Sequence, residues 1–70
     1  MSQNITYLVN NPESFCAITD ENTVRIGYTE GPIKEYPSGH YVHDLVMSMK
    51  DRLVDMTMDQ FQGWLEQNDI

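Results

Sequence analysis

Apolar and polar positions alternate along the first half of this sequence, and past Ser38 they recur at steps of three and four. In the first half, runs rich in β-branched and aromatic residues occupy positions 5–9, 15–19 and 24–29, with a briefer one at 33–36. Turn-forming clusters separate them: Asn10-Asn11-Pro12-Glu13, Asp20-Glu21-Asn22, Glu30-Gly31-Pro32 and Pro37-Ser38-Gly39. Successive strand residues point to opposite faces, so Ile5, Tyr7 and Val9 are expected together, as are Val24, Ile26 and Tyr28. In the second run Cys16 and Ile18 oppose Phe15 and Ala17. This patterning predicts an antiparallel meander of three strands, or four if the run at 33–36 pairs.

The second half changes period. Val42, Leu45, Val46, Met49, Leu53 and Met56 form the stripe of an amphipathic helix over about 39–56. Ser38 is its expected N-cap. Thr57-Met58-Asp59-Gln60 has the Thr-x-x-Gln spacing of a capping box, which predicts a second helix over about 58–67. That helix places Met58, Phe61 and Leu65 on one face and frays beyond Asn68. The fold class expected is α+β in one domain, 1–70: a small antiparallel β-meander, then one long and one short helix packed on one sheet face.

Composition narrows the function. The chain has 70 residues, with 4 Lys+Arg against 11 Asp+Glu and a formal net charge of −7. A fold this small buries only about 60% of its extended-chain surface, which leaves little room for a deep enclosed site. Phosphate contacts need clustered cations, so no direct nucleic-acid binding is expected. Anionic membranes attract polybasic segments, so no membrane surface is expected either. The acids divide five and six between residues 1–36 and 37–70, which places the charge on the folded surface. Neither a basic leader nor a long apolar run is present, and the expected location is cytoplasmic. Cys16, the single cysteine, can form no internal disulfide and reads as a small buried hydrophobe.

Candidate chemistry is sparse. His40, His43 and Asp44 sit together at a helix start, but the His spacing is i, i+3 and no second ligand cluster accompanies them. Both histidines are expected at the surface, one beside Asp44. The glycines are dispersed, so no phosphate-binding loop is present. Tyr7, Phe15 and Tyr28 could stack bases, but only Arg25 and Lys34 lie in that half, and packing explains them better. No enzyme activity, metal or cofactor is expected.

What the helical half offers is surface. Projected as one continuous helix, Asp44, Asp51 and Asp55 fall within about 40° of each other opposite the core stripe. A solvated face explains this arrangement, but Asp51 and Asp55 would lie in the last two turns, where the helix dipole disfavours anions. His43, Met47, Lys50 and Val54 form a flank ladder that the same core cannot use, and exposed Met suits interfaces. Trp64 is either a core-edge residue or an interface anchor. The candidate residues are therefore Asp44, Asp51 and Asp55 for a basic partner, and Met47, Val54 and Trp64 for a partner or dimer interface.

Two functions of different class follow. The first is a small acidic, non-catalytic protein that blocks a larger, nucleic-acid-handling partner, its carboxylates occupying phosphate sites. In size, acidity and lack of catalytic residues the chain resembles small phage-encoded inhibitors of host or defence enzymes, anti-CRISPR proteins among them; the resemblance is one of type and rests on no motif. The second is a homo-oligomeric accessory protein, antitoxin-like, with Met47 and Val54 at a two-fold seam and acidity serving only solubility.

Overall fold

The computed structural model describes residues 4–70. Four strands form one antiparallel sheet in the order β1-β2-β3-β4: β1 Ile5–Asn10, β2 Ser14–Thr19, β3 Val24–Tyr28 and β4 Ile33–Tyr36. The run at 33–36 does pair, with Ile33 opposite Gly27 and Tyr36 opposite Val24. Local chemistry shapes each turn. Asn11 Oδ1 accepts from the backbone N–H groups of Glu13 and Ser14 at 2.9 and 2.7 Å. Thr19 Oγ1 accepts from Thr23 N–H at 3.2 Å, and Asn22 takes the left-handed φ of 62° that Asn tolerates. Where β4 folds back on β3, a Cβ on Gly27 would lie 2.7 Å from Pro32 O and 3.0 Å from Ile33 Cα, so only glycine permits this approach.

Residues paired across an antiparallel sheet share a face, so the register sorts the side chains. Val9, Cys16 and Ile26 lie on one side with Ile18, Val24 and Tyr36. Tyr7, Ala17, Arg25 and Glu35 form a row on the other, next to Phe15, Gly27 and Ile33. Strict alternation fails in β1, where the register shifts between Tyr7 and Val9. Leu8 and Val9 together face Cys16 in a β-bulge, and both are buried. Val9 therefore joins the core, and the single face expected for Ile5, Tyr7 and Val9 is divided.

Three helices follow: α1 Tyr41–Ser48, α2 Lys50–Leu53 and α3 Met58–Gln67. The stretch expected as one helix starts later than Ser38 and is interrupted. Gly39 adopts φ +100° in a turn where His40 N–H donates to Pro37 O at 3.0 Å. The N-cap is thus His40, whose Nδ1 accepts from Val42 N–H at 3.1 Å. At Met49 the backbone leaves helical geometry, with φ −115° and ψ 13°. Its N–H reaches back three residues to Val46 O, and Ser48 Oγ donates to Leu45 O at 2.8 Å, a contact that competes with the ladder. Met49 Sδ accepts from Trp64 Nε1–H at 3.3 Å, so tertiary packing holds the break in place. The capping box forms as read: Thr57 Oγ1 accepts from Gln60 N–H, and Gln60 Oε1 accepts from Thr57 N–H.

All three helices pack on one sheet face. Leu8, Val9, Cys16, Val24 and Ile26 meet Val42 and Val46 of α1, Leu53 of α2, and Phe61, Trp64 and Leu65 of α3 in one buried cluster. Each large side chain buried there contributes about 1.5–3 kcal/mol. The opposite face has no second layer among the described residues.

Candidate functional site

The helical layer carries the acidic candidates. Asp44 stands exposed on α1, Asp51 on α2, and Asp55 just beyond α2. The break at Met49 interrupts the projection that aligned them. Asp51 and Asp55 are brought together, around a shallow depression shared with Arg52, Met56 and Gln60, and Asp44 lies outside it. Of the two acids expected at a helix C-terminus, Asp51 moves to a helix start, whereas Asp55 still follows the C-terminal end of α2, where an anion is disfavoured. Asp44 occupies the first turn of α1 and Asp51 the first turn of α2, where a helix end favours an anion. Their positions are therefore locally favourable rather than costly.

The flank ladder is not one continuous exposed surface. His43 is buried, contrary to the surface position expected, and Met47 is partly buried against the core. Lys50 is exposed and Val54 is 55% exposed, past the break. The reason is the depth of α1. Its buried arc spans Val42, His43, Val46 and Met47, wider than an apolar stripe alone requires. Trp64 is corrected more sharply: at 7% exposure it belongs to the core, its ring stacked on Phe61 at a centroid distance of 5.9 Å and its N–H given to Met49. It offers no surface anchor on the folded chain.

Among the described residues, three side chains carry buried polar atoms without a partner: Asn11 Nδ2, Arg25 Nε and both ring nitrogens of His43. His43 Nδ1 lies 3.6 Å from Asp44 Oδ1, beyond hydrogen-bond reach. Arg25 Nε lies 2.9 Å from Glu35 Oε1, the distance of an ion pair, yet it has no hydrogen-bond partner; the N–H points elsewhere. His40 is exposed and caps α1 through Nδ1, its ring centroid 4.8 and 5.2 Å from those of Tyr36 and Tyr41. Burial pushes the Cys16 thiol up to about 12, which leaves it protonated and unreactive at neutral pH. Among the described residues, no three His, Cys, Asp or Glu side chains group to hold a metal ion.

The surface that the sequence reading missed is the open sheet face. Tyr7 is 51% and Ile33 57% exposed there, and Tyr7 meets Phe15 edge-on at 6.1 Å. Ala17 is buried between them only because its short side chain sits below its taller neighbours. Tyr28 lies on the opposite face, so the three strand aromatics form no common platform. A signal was present: β2 is apolar on both faces, Cys16 and Ile18 on one, Phe15 and Ala17 on the other. A strand of that kind is normally covered on both sides. Among the described residues no helix is long and apolar enough to cross a membrane. Compared with protein-family models, curated proteins and solved structures, the chain gives no match.

Proposed function

We propose that this chain is a non-catalytic binding protein that blocks a larger cytoplasmic partner with a basic, nucleic-acid-handling surface, in the manner of small phage-encoded inhibitors. The supporting observation is an unneutralised negative surface on the helical layer. Asp44, Asp51 and Asp55 are exposed; Asp44 lies 3.6 Å from the His43 ring, and Asp51 and Asp55 have no cationic group within 4 Å among the described residues. Exposed carboxylates without a paired cation attract a basic cleft over roughly a Debye length, about 8–10 Å, and speed association with it. Asp51 and Asp55, on either side of one depression, are the pair best placed to take a Lys or Arg side chain of the partner.

The test is partner capture at low and high salt, followed by charge reversal in the purified complex. Asp44→Lys, Asp51→Lys and Asp55→Lys combined should weaken binding at least about tenfold and flatten its salt dependence. Reversal of Asp20 and Glu21, in the β2–β3 turn, should have a much smaller effect. Equal losses from the two sets would remove the helical layer from the binding role.

A further inference from the structure

We propose that the open face of the sheet is a self-association surface on which a second copy of this chain packs face to face. It is the sheet face left bare by the helices, which all pack on the other side. Tyr7, Phe15 and Ile33 stand up from it around the low floor of Ala17. Among the described residues, the charged side chains on it are Arg25 and Glu35, which compensate each other.

Charge balance selects the occupant. The chain carries a net charge of −7, so two copies repel wherever their acidic surfaces meet. On this face one cation and one anion cancel, so pairing here adds no like-charge contact, and what remains is the longer-range repulsion of two acidic chains, which salt screens. A strongly basic partner, by contrast, gains nothing from a neutral face and is drawn to the helical layer. A two-fold axis also brings the Arg25–Glu35 pair of one copy towards that of the other in opposite order. Glu35 of the second copy then faces the Arg25 guanidinium, whose side chain is 32% exposed, and adds a second carboxylate to it.

Area sets the strength. Four strands about 4.8 Å apart and up to six residues long at about 3.3 Å each present roughly 300 Å² in plan. Two such faces fall in the class of weak interfaces below about 1,200 Å² in total. The pairing is therefore concentration-dependent. Because it joins two like-charged chains through a neutral face, added salt strengthens it, the reverse of the salt response of a basic partner. Failure here thus leaves the proposed inhibitor role standing, and the converse holds too.

The test is sedimentation equilibrium of the wild-type chain up to about millimolar concentration, with an amide chemical-shift dilution series over the same range. The expected result is a mass rising towards twice the 8.1 kDa chain, more so at high salt, with the largest shifts at Tyr7, Phe15 and Ile33. A monomer throughout, or shifts centred on Val54 and α2, overturns the proposal. Tyr7→Glu and Ile33→Lys each alter an exposed side chain outside the core cluster, and each should weaken the pairing at least about tenfold. Val54→Glu should leave it unchanged. Pairing that survives in whichever of the first two variants keeps its fold also overturns the proposal, and the wild-type shifts decide the matter if neither does.

Discussion

Glycine-to-alanine replacement should move stability in opposite directions at Gly27 and Gly63. At Gly63, within α3 and exposed, an added Cβ meets no atom within 4 Å. Alanine there gains helix propensity and narrows the unfolded ensemble, and should stabilise by about 0.5–1 kcal/mol. The same entropic gain applies at Gly27, but there the new Cβ would lie 2.7 Å from Pro32 O and 3.0 Å from Ile33 Cα. Both obstacles are backbone atoms, so no rotamer change relieves them, and β4 must shift away from β3. Overpacking of this kind costs about 1–3 kcal/mol, which exceeds the entropic gain. In a domain of this size each kcal/mol moves Tm by roughly 4–8 °C, so thermal and urea unfolding followed by far-UV circular dichroism resolve both effects. Amide exchange should also accelerate across Ile33–Tyr36 in Gly27→Ala and stay unchanged there in Gly63→Ala. Shifts of the same sign, or a Gly27→Ala protein as stable as wild type with β4 still protected, would refute the close approach as the reason for glycine.

Other outcomes follow from the buried groups. Because the Cys16 pKa is raised from 9.0 to about 12 on folding, the unfolded chain holds fewer protons between those values. Stability should be untouched by this group below pH 9 and should fall by up to about 1.4 kcal/mol per unit above it, a slope that Cys16→Ala reduces to what Tyr36, also raised by burial, contributes. The same burial should keep native Cys16 from alkylating at pH 7.5 until denaturant is added. His43→Leu removes two buried nitrogens that have no partner at a similar side-chain volume, and should be neutral or stabilising by urea unfolding. A loss above about 1 kcal/mol would mean that the imidazole makes a bond worth keeping.

What could be read directly from sequence was local. The capping box needed only Thr57 and Gln60, and β4 needed only the breakers on either side of Ile33 and Tyr36. Cys16 was legible because its neighbours in β2 are apolar. The missing pieces depend on distant partners or on one extra residue. Met49 breaks the helix where its sulfur meets Trp64, fifteen residues further on, and no period in the sequence encodes that contact. The bulge at Leu8 is a register decision taken jointly by β1 and β2, and alternation counted along β1 alone puts Val9 on the wrong face. The acidic stripe inherited an assumption of unbroken helix: Asp51 and Asp55 stayed together because they share the segment after the break, and Asp44 separated because it does not. His43 was misplaced for a simpler reason, that a polar residue beside an apolar stripe is usually wet.

The two ends of the sheet bear on a different hazard, uncontrolled strand addition. β1 and β4 are its outer strands, each with a row of backbone groups that a further strand could pair with. β1 carries its bulge in mid-strand, and β4 is four residues long with Lys34 and Glu35 at its centre. Irregular, short and charged edges are poor templates for another chain. A broad face meets one copy and is then used up, whereas an edge regenerates itself with every strand added. With its edges blunted, this fold has no smooth rim along which a fibre could grow.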